Sequence, residues 1–316
     1  MAADFEISII IPVYNRAAYL AKTFKSVLNQ TYRPLQLILV DNGSTDSSWE
    51  LCQAFQQEQQ TSDFRVKVYQ ELKKGANSAR NTGVRHCDTP YLYFFDSDDE
   101  LSSDFIATVL PLIKQRQLDV LGVKTMVVTP RGSAVRDSVF SCSPANQILM
   151  GLLPTQAAVY RIGFFKSVLW NEGLLTWGDW ELGVRVLLAC PAMEWYREKA
   201  FHRIYVHDES ITGQSFSSRY EWIDKAMDSV FRYVKASSLE MRVRQSCLLA
   251  LYYRRHITAG WLAREGSWDL VSHCLQQAEV MLPSAKMHRI AGQMLYRYTR
   301  VGGRGAWRLA VGLLSV

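Results

Sequence analysis

Three carboxylates within four residues, Asp96, Asp98 and Asp99 around Ser97, are the sharpest chemical feature of this 316-residue sequence. Carboxylates crowded in this way repel one another unless a cation neutralises them. A hard divalent ion suits the position, because Mg2+ or Mn2+ takes one or two carboxylates and shares its remaining sites with water and phosphate oxygens. Asp98, Asp99 and Glu100 can instead cap the helix expected to follow, since Asp at a helix start accepts hydrogen bonds from free backbone N–H groups. Two further polar clusters stand immediately after apolar runs, as the carboxylates do. They are Pro12-Val13-Tyr14-Asn15-Arg16 and Asp41-Asn42-Gly43-Ser44.

The elements that must position these clusters alternate between short β-rich runs and helical patterns. Strands are expected at 7–13, 35–40, 66–69, 91–95 and 120–128, and the unbroken apolarity of the first predicts a strand covered on both faces. Leu20, Phe24, Val27 and Leu28 mark one face of a helix after a cap at Asn15. Leu51 and Phe55 are expected to face inward one turn apart, after a cap at Ser44 or Thr45. Residues 75–85 read as a loop entering a helix, and helices are expected at 104–116 and 180–189. Such alternation predicts βαβ units and a largely parallel sheet. Open sheets of this kind bind ligands beyond the carboxyl ends of their strands, where all three clusters fall. Residues 130–150, with Pro, Gly and Ser, read as a loop. The pattern from 217 to 316 is mainly helical, interrupted at Gly302, Gly303 and Gly305, and divides the chain into a domain at 1–216 and a basic helical region at 217–316.

Composition narrows the class. Hydrophobic residues at 48% and charged residues at 21% describe a globular chain rather than a disordered or fibrous one. The six cysteines are scattered, without a zinc spacing, and read as reduced thiols. The N-terminus shows no export leader and there is no apolar run of spanning length, so a cytoplasmic protein is expected, at most peripheral on the membrane. No glycine-rich dinucleotide fingerprint follows the first strand and no P-loop occurs. Charge is uneven: of the net +6, residues 217–316 hold fifteen Lys or Arg against seven Asp or Glu, which leaves about −2 for the rest. The basic region, with Trp and Tyr interleaved, is expected either to meet an anionic membrane or a neighbouring subunit, or to be a helical cap with a solvated face.

Four segments in order, IIIPVYNR at 9–16, LVDNGSTD at 39–46, GANSARNTG at 75–83 and FFDSDDEL at 94–101, resemble the inverting family 2 glycosyltransferases. The resemblance implies the GT-A nucleotide-diphospho-sugar transferase fold, a Rossmann-like mixed, mostly parallel sheet flanked by helices, here with a helical C-terminal region. It implies a donor held by Pro12, Tyr14, Asn15, Asp41, Asn42, Gly75, Arg80, Asp96, Ser97 and Asp98. The base and ribose would lie near Pro12, Tyr14 and Asp41, and Arg80 would face the donor phosphates or the carboxylate loop. The metal, Mn2+ or Mg2+, would be held by Asp98 and Asp96, with Asp99 either on the donor sugar or capping the helix. His207 matches a late histidine that can approach the diphosphate or metal.

Inverting transfer needs a carboxylate to take the proton of the attacking hydroxyl. The family supplies it from a Glu-Asp pair opening a helix. Here the stretch is Thr176-Trp177-Gly178-Asp179-Trp180-Glu181, so Gly178 replaces the Glu and Asp179 becomes the implied base, with Glu181 in reserve. Asp179 can equally be an N-cap, and Trp177 and Trp180 either a sugar platform or core aromatics. The Gln-x-x-Arg-Trp segment of processive synthases is absent, which favours single-sugar transfer. The expected partners are a UDP-sugar or similar donor and a glycan or lipid-linked acceptor in cell-surface polysaccharide or glycolipid synthesis, with a homo-oligomer open and no nucleic acid. Two other readings stay open: a nucleotide-sugar-binding scaffold that has lost its base, and a sugar-1-phosphate nucleotidyltransferase, whose glycine-rich loop is not seen.

Overall fold

The computed structural model describes residues 4–129, 132–135, 140–205, 215–281 and 285–314. The chain forms two compact units. The first comprises Met1–Phe140, Leu153–Leu175 and Ala189–Asp208; the second comprises Ser141–Leu152, Thr176–Leu188 and Glu209–Val316. The second unit therefore takes two segments from before residue 216 as well as the basic region after it.

In the first unit β1 (Ile7–Val13), α1 (Ala17–Leu28), β2 (Leu35–Asp41), α2 (Ser48–Gln59), β3 (Phe64–Gln70), α3 (Ala76–Arg85) and β4 (Tyr91–Phe94) follow in the expected alternation. The short β5 (Glu100–Leu101), α4 (Phe105–Gln115), β6 (Val120–Thr129) and β7 (Gly132–Val135) come next. All seven residues of both β1 and β2 are buried, as a strand covered on two faces requires. Strands β3, β2, β1 and β4 are neighbours and mutually parallel. Beyond β4 the sheet becomes mixed, through β8 (Ala158–Arg161), β6, β9 (Met193–Tyr205) and β5, with β7 paired to β6. β8 is antiparallel to β4 and β6, whereas β6 and β9 are parallel. A short α6 (Ile162–Phe165) follows β8.

Helix α3 lies so close to the sheet that a Cβ on Gly83 would stand 2.3 Å from Cγ2 of Ile10 in β1. Only glycine fits there without moving the helix. Helix α2 buries Cys52 and Phe55, while Leu51 is 40% exposed, which corrects the expected inward pair by one position. The caps also differ: α1 is preceded by Arg16 and α2 by Ser47, neither with a side-chain cap.

The stretch read as a loop at 130–150 holds β7 and, in the second unit, α5 (Pro144–Met150). Ser143 and Pro144, with Gly151 just beyond the stretch, are helix punctuation. Ser143 accepts from the Asn146 N–H at the N-cap, Pro144 opens the first turn, and Gly151 closes the helix at φ 62°. The second unit continues with α7 (Gly178–Leu188), a 3-10 turn at Ser217–Arg219, and α8 (Tyr220–Ala236), α9 (Met241–Arg264), α10 (Trp268–Glu279), α11 (Lys286–Arg300) and α12 (Ala306–Leu313). Helix α9 is buried from Ala250 to Ala263 except at the half-buried Arg254 and Trp261. The segments at 141–152 and 176–188 are tied into this unit by polar bonds as well as packing. Arg254 donates to the Leu149 carbonyl at 2.7 Å, Trp180 Nε1 to the Ile148 carbonyl at 2.9 Å, and Gln147 to the Trp180 carbonyl at 3.1 Å. Among the described residues no helix is long and apolar enough to cross a membrane.

Candidate active site

The carboxyl ends of β2, β1 and β4 share one sheet edge, because Val13 pairs with Asp41 and Ile10 with Phe94. Each of the three polar clusters begins there. The structure thus gathers Pro12, Tyr14, Asn15, Asp41, Asn42, Asp96, Ser97 and Asp98 at neighbouring strand ends, with Gly75 and Arg80 supplied by the start of α3.

The carboxylates are held by named partners. One oxygen of Asp96 accepts from Arg80 Nη2 at 2.8 Å and the other from Gln156 Nε2 at 3.1 Å. Asp98 lies 3.3 Å from Nε of Arg16. Asp99 is buried, accepting from the Tyr205 backbone N–H at 2.9 Å and from Gln156. Thr23 Oγ1 donates to the carbonyls of both Ser97 and Asp99 at 3.0 Å, so α1 pins the loop from below. Burial, and then the charges of Asp96 and Asp98, push the Asp99 carboxyl up to about 8.

Arg80 is fixed on its other side by the Trp170 ring, whose centroid is 4.7 Å from the guanidinium carbon, while its Nε is buried without a partner. Asp41 is 1% exposed. Its Oδ2 accepts from the backbone N–H groups of Gly43 and Ser44, at 3.1 and 3.2 Å, and its Oδ1 is buried with no partner. A buried carboxylate oxygen left unpaired is costly, and a donor from a bound ligand would satisfy it.

Other site candidates are engaged with the protein itself. Asn42 spends its whole amide on the loop before α3, donating to the carbonyls of Glu71 and Lys73 at 2.8 Å and accepting from the Gly75 N–H at 2.7 Å. That loop turns at Gly75, whose φ of 122° suits glycine. Asn15, at φ 50°, accepts from the Thr45 N–H at 2.8 Å and ties the end of β1 to the turn after β2. Pro12 is buried in β1, and Tyr14 beside it is 51% exposed.

Asp179 stands in the second unit, in the first turn of α7, where its Oδ1 accepts from the Trp180 N–H at 2.8 Å. Glu181 is committed elsewhere. It is buried, paired with Arg185 at 2.8 Å, and accepts from Ser229 of α8 at 2.9 Å. Trp180 is a core residue, 6% exposed, and Trp177 packs on it and beneath the Arg254 guanidinium. His207 lies outside the described residues. Gln156, Tyr205, Thr23, Trp170 and Arg16 are the site residues to which sequence reasoning gave no role.

Among the described residues no group of three or more His, Cys, Asp or Glu is arranged to hold a metal. Asp96 and Asp98 are the partly exposed carboxylates of the loop after β4, the oxygen-donor chemistry that a hard divalent ion takes when phosphate and water supply the rest.

A sheet of this order, with carboxylates at the end of β4 and an arginine from α3, is that of a GT-A fold. The profile described as "Glycosyl transferase family 2" matches residues 8–168, and the chain belongs to that family. The chain is 39% identical over 116 residues to glycosyltransferase GlyG of Streptococcus pneumoniae, a match covering 36% of this chain and 37% of that relative. Among solved structures it resembles S. aureus TarS 1–349 in complex with UDP-GlcNAc, with a TM-score of 0.75 at 20% identity over 96% of this chain and 90% of that one. It also resembles the mannosyltransferase PcManGT from Pyrobaculum calidifontis in complex with GDP-Man and Mn2+, with a TM-score of 0.56 at 13% identity, covering 99% and 87% of the two chains.

Proposed function

We propose that this chain is an inverting glycosyltransferase that moves a single sugar from a nucleotide-diphosphate sugar, a UDP-sugar first among them, to a hydroxyl of a glycan or lipid-linked acceptor. The observation that carries the reading is the gathering of Asp96, Asp98 and Asp99 beside the buried Arg80 at the carboxyl ends of parallel strands. Family membership and the UDP-GlcNAc complex of the similar TarS fold support it.

The residues divide the work by their chemistry. The unpaired Asp41 Oδ1 accepts from a donor on the nucleotide base or ribose, and Tyr14 offers an exposed ring to the base. Asp96 and Asp98 hold Mn2+ or Mg2+, which when bound neutralises the charge developing on the leaving diphosphate. Arg80, gripped by Asp96 and Trp170, presents a fixed cation toward the same charge. Asp179 is the candidate base. It takes the proton of the acceptor hydroxyl as that oxygen bonds to the anomeric carbon and the diphosphate oxygen leaves from the opposite face. Its Oδ1 accepts from a backbone N–H and leaves Oδ2 for that task, whereas Glu181 is paired with Arg185.

The test is donor turnover. Wild type is expected to hydrolyse or transfer sugar from a UDP-sugar with Mn2+ present, and Asp179→Asn to lose that activity by about a hundredfold or more while still binding UDP. Turnover unaffected by Asp179→Asn would remove that residue as the base. UDP binding by wild type without turnover of any donor would favour a nucleotide-sugar-binding scaffold.

A further inference from the structure

Helix α11 has two apolar faces. The inner one packs on α9 at very short range: a Cβ on Gly292 would meet the Tyr252 ring at 2.5 Å, and a Cβ on Gly260 of α9 would meet Thr299 at 2.5 Å. With Ala291, Leu295 and Thr299 buried, this face anchors the helix. The outer face is also apolar and faces solvent. Met287 is 54% exposed, Ile290 44%, Met294 64% and Tyr298 40%, and Val301 follows at the C-cap at 83%. At roughly 100° of rotation per residue, these five lie within an arc of roughly 80°.

Cations border that arc. Lys286, Arg289, Arg297 and Arg300 project along its one open edge, and Arg300 stacks over the half-exposed Trp268 ring at 5.1 Å. From residue 280 to the end the sequence holds six Lys or Arg and no Asp or Glu, a charge equal to the net +6 of the entire chain. An aliphatic stripe flanked by long cationic side chains is the arrangement of a helix lying in the plane of a lipid interface. The stripe enters the acyl boundary while the cations reach the headgroups.

We propose that the outer face of α11, with Val301 and Trp268, docks on an anionic bilayer surface. Charge decides against a second copy of the chain, because a self-complementary interface would bring the same cations face to face. Four of the five stripe residues are aliphatic, where a nucleic-acid surface would present planar groups for stacking. The surface rests on α11, its C-cap Val301 and Trp268 of α10, and stands whatever reaction the chain performs.

The experiment floats the full chain with phosphatidylcholine vesicles, and with vesicles also containing phosphatidylglycerol. The chain is expected to float with the anionic vesicles only, and to be released by salt. Joint replacement Ile290→Asp and Met294→Asp, at two exposed positions, should weaken vesicle binding tenfold or more while leaving the circular dichroism unchanged. Lys286→Gln or Arg297→Gln, which disturb no buried group, should each weaken it about fivefold, the effect of one cation near such a surface. Absence of flotation, equal flotation with neutral vesicles, or indifference to both kinds of substitution would overturn the proposal. So would a wild-type dimer made monomeric by the paired aspartates, or a preference for duplex nucleic acid over anionic vesicles.

Discussion

Two clusters of charge, one in each unit, each hold one more carboxylate than arginine, but the group each buries most deeply has the opposite sign. At the sheet edge Asp96 and Asp98 pair with Arg80 and Arg16, and the buried Asp99 carboxyl is pushed up to about 8 by burial and then by its neighbours' charge. In the second unit Arg255 of α9 is fully buried between Asp224 at 2.5 Å and Asp228 at 2.7 Å, with His273 a further 3.1 Å from Asp224. Burial works to lower the Arg255 guanidinium, and the hydrogen bond and charge of Asp224 outweigh it. The second cluster buries a cation, Arg255, and fastens α8 to α9. The first buries a carboxylate, Asp99, in the loop after β4, and a raised carboxyl at the end of a parallel strand points to a ligand site rather than a structural clasp.

The difference can be broken from the structural side first. Arg255→Met would leave two carboxylates facing a buried gap. Asp228 keeps partial exposure, so the loss should sit near the lower end for breaking a buried pair, about 3 kcal/mol, read as a fall in thermal midpoint. Adding Asp224→Asn should restore part of it. A thermal midpoint indifferent to Arg255→Met would mean that the clasp contributes nothing.

A lone buried ionisable group sharpens the contrast, because burial alone acts on it and it simply discharges. His202 in β9 is 1% exposed, its Nε2 has no partner, and burial lowers it to about 3. Its folded value lies below its ordinary one, so between about pH 6.5 and 3 the unfolded chain binds a proton that the native chain refuses. Stability from this group is therefore complete above pH 6.5 and declines as pH falls, by up to about 1.4 kcal/mol per unit. Denaturation midpoints at pH 7 and pH 5.5 should differ by about 1–2 kcal/mol through His202, and His202→Gln should remove that difference. Equal pH dependence in the two proteins would contradict the assignment.

The parts of this molecule legible in its sequence are those where function is local in the chain. The clusters at 12–16, 41–44 and 96–99 each follow a strand directly, so reading β1, β2 and β4 already placed them on one edge. Gln156, Tyr205 and Trp170 come from the antiparallel half of the sheet and its connections. No periodicity marks a glutamine that bridges Asp96 and Asp99 across nearly sixty residues. Leu51 and Cys52 show a second limit: both suit a buried helical face, and the packing of α2 selected the smaller residue. The stretch at 141–151 shows a third, since Ser143, Pro144 and Gly151 punctuate a helix with the residues that elsewhere make a loop. That helix and α7 join the second unit through bonds to α9 and to each other, a long-range choice that no boundary drawn along the chain expresses.

The central claim is that the carboxylates after β4 hold a cation against a diphosphate. Calorimetric titration of UDP into wild type and Asp98→Asn, each with and without Mn2+, tests it most directly. Mn2+ should tighten UDP binding to wild type tenfold or more and do nothing for Asp98→Asn, whose metal-free affinity stays near that of wild type. An equal gain from Mn2+ in both proteins would contradict it.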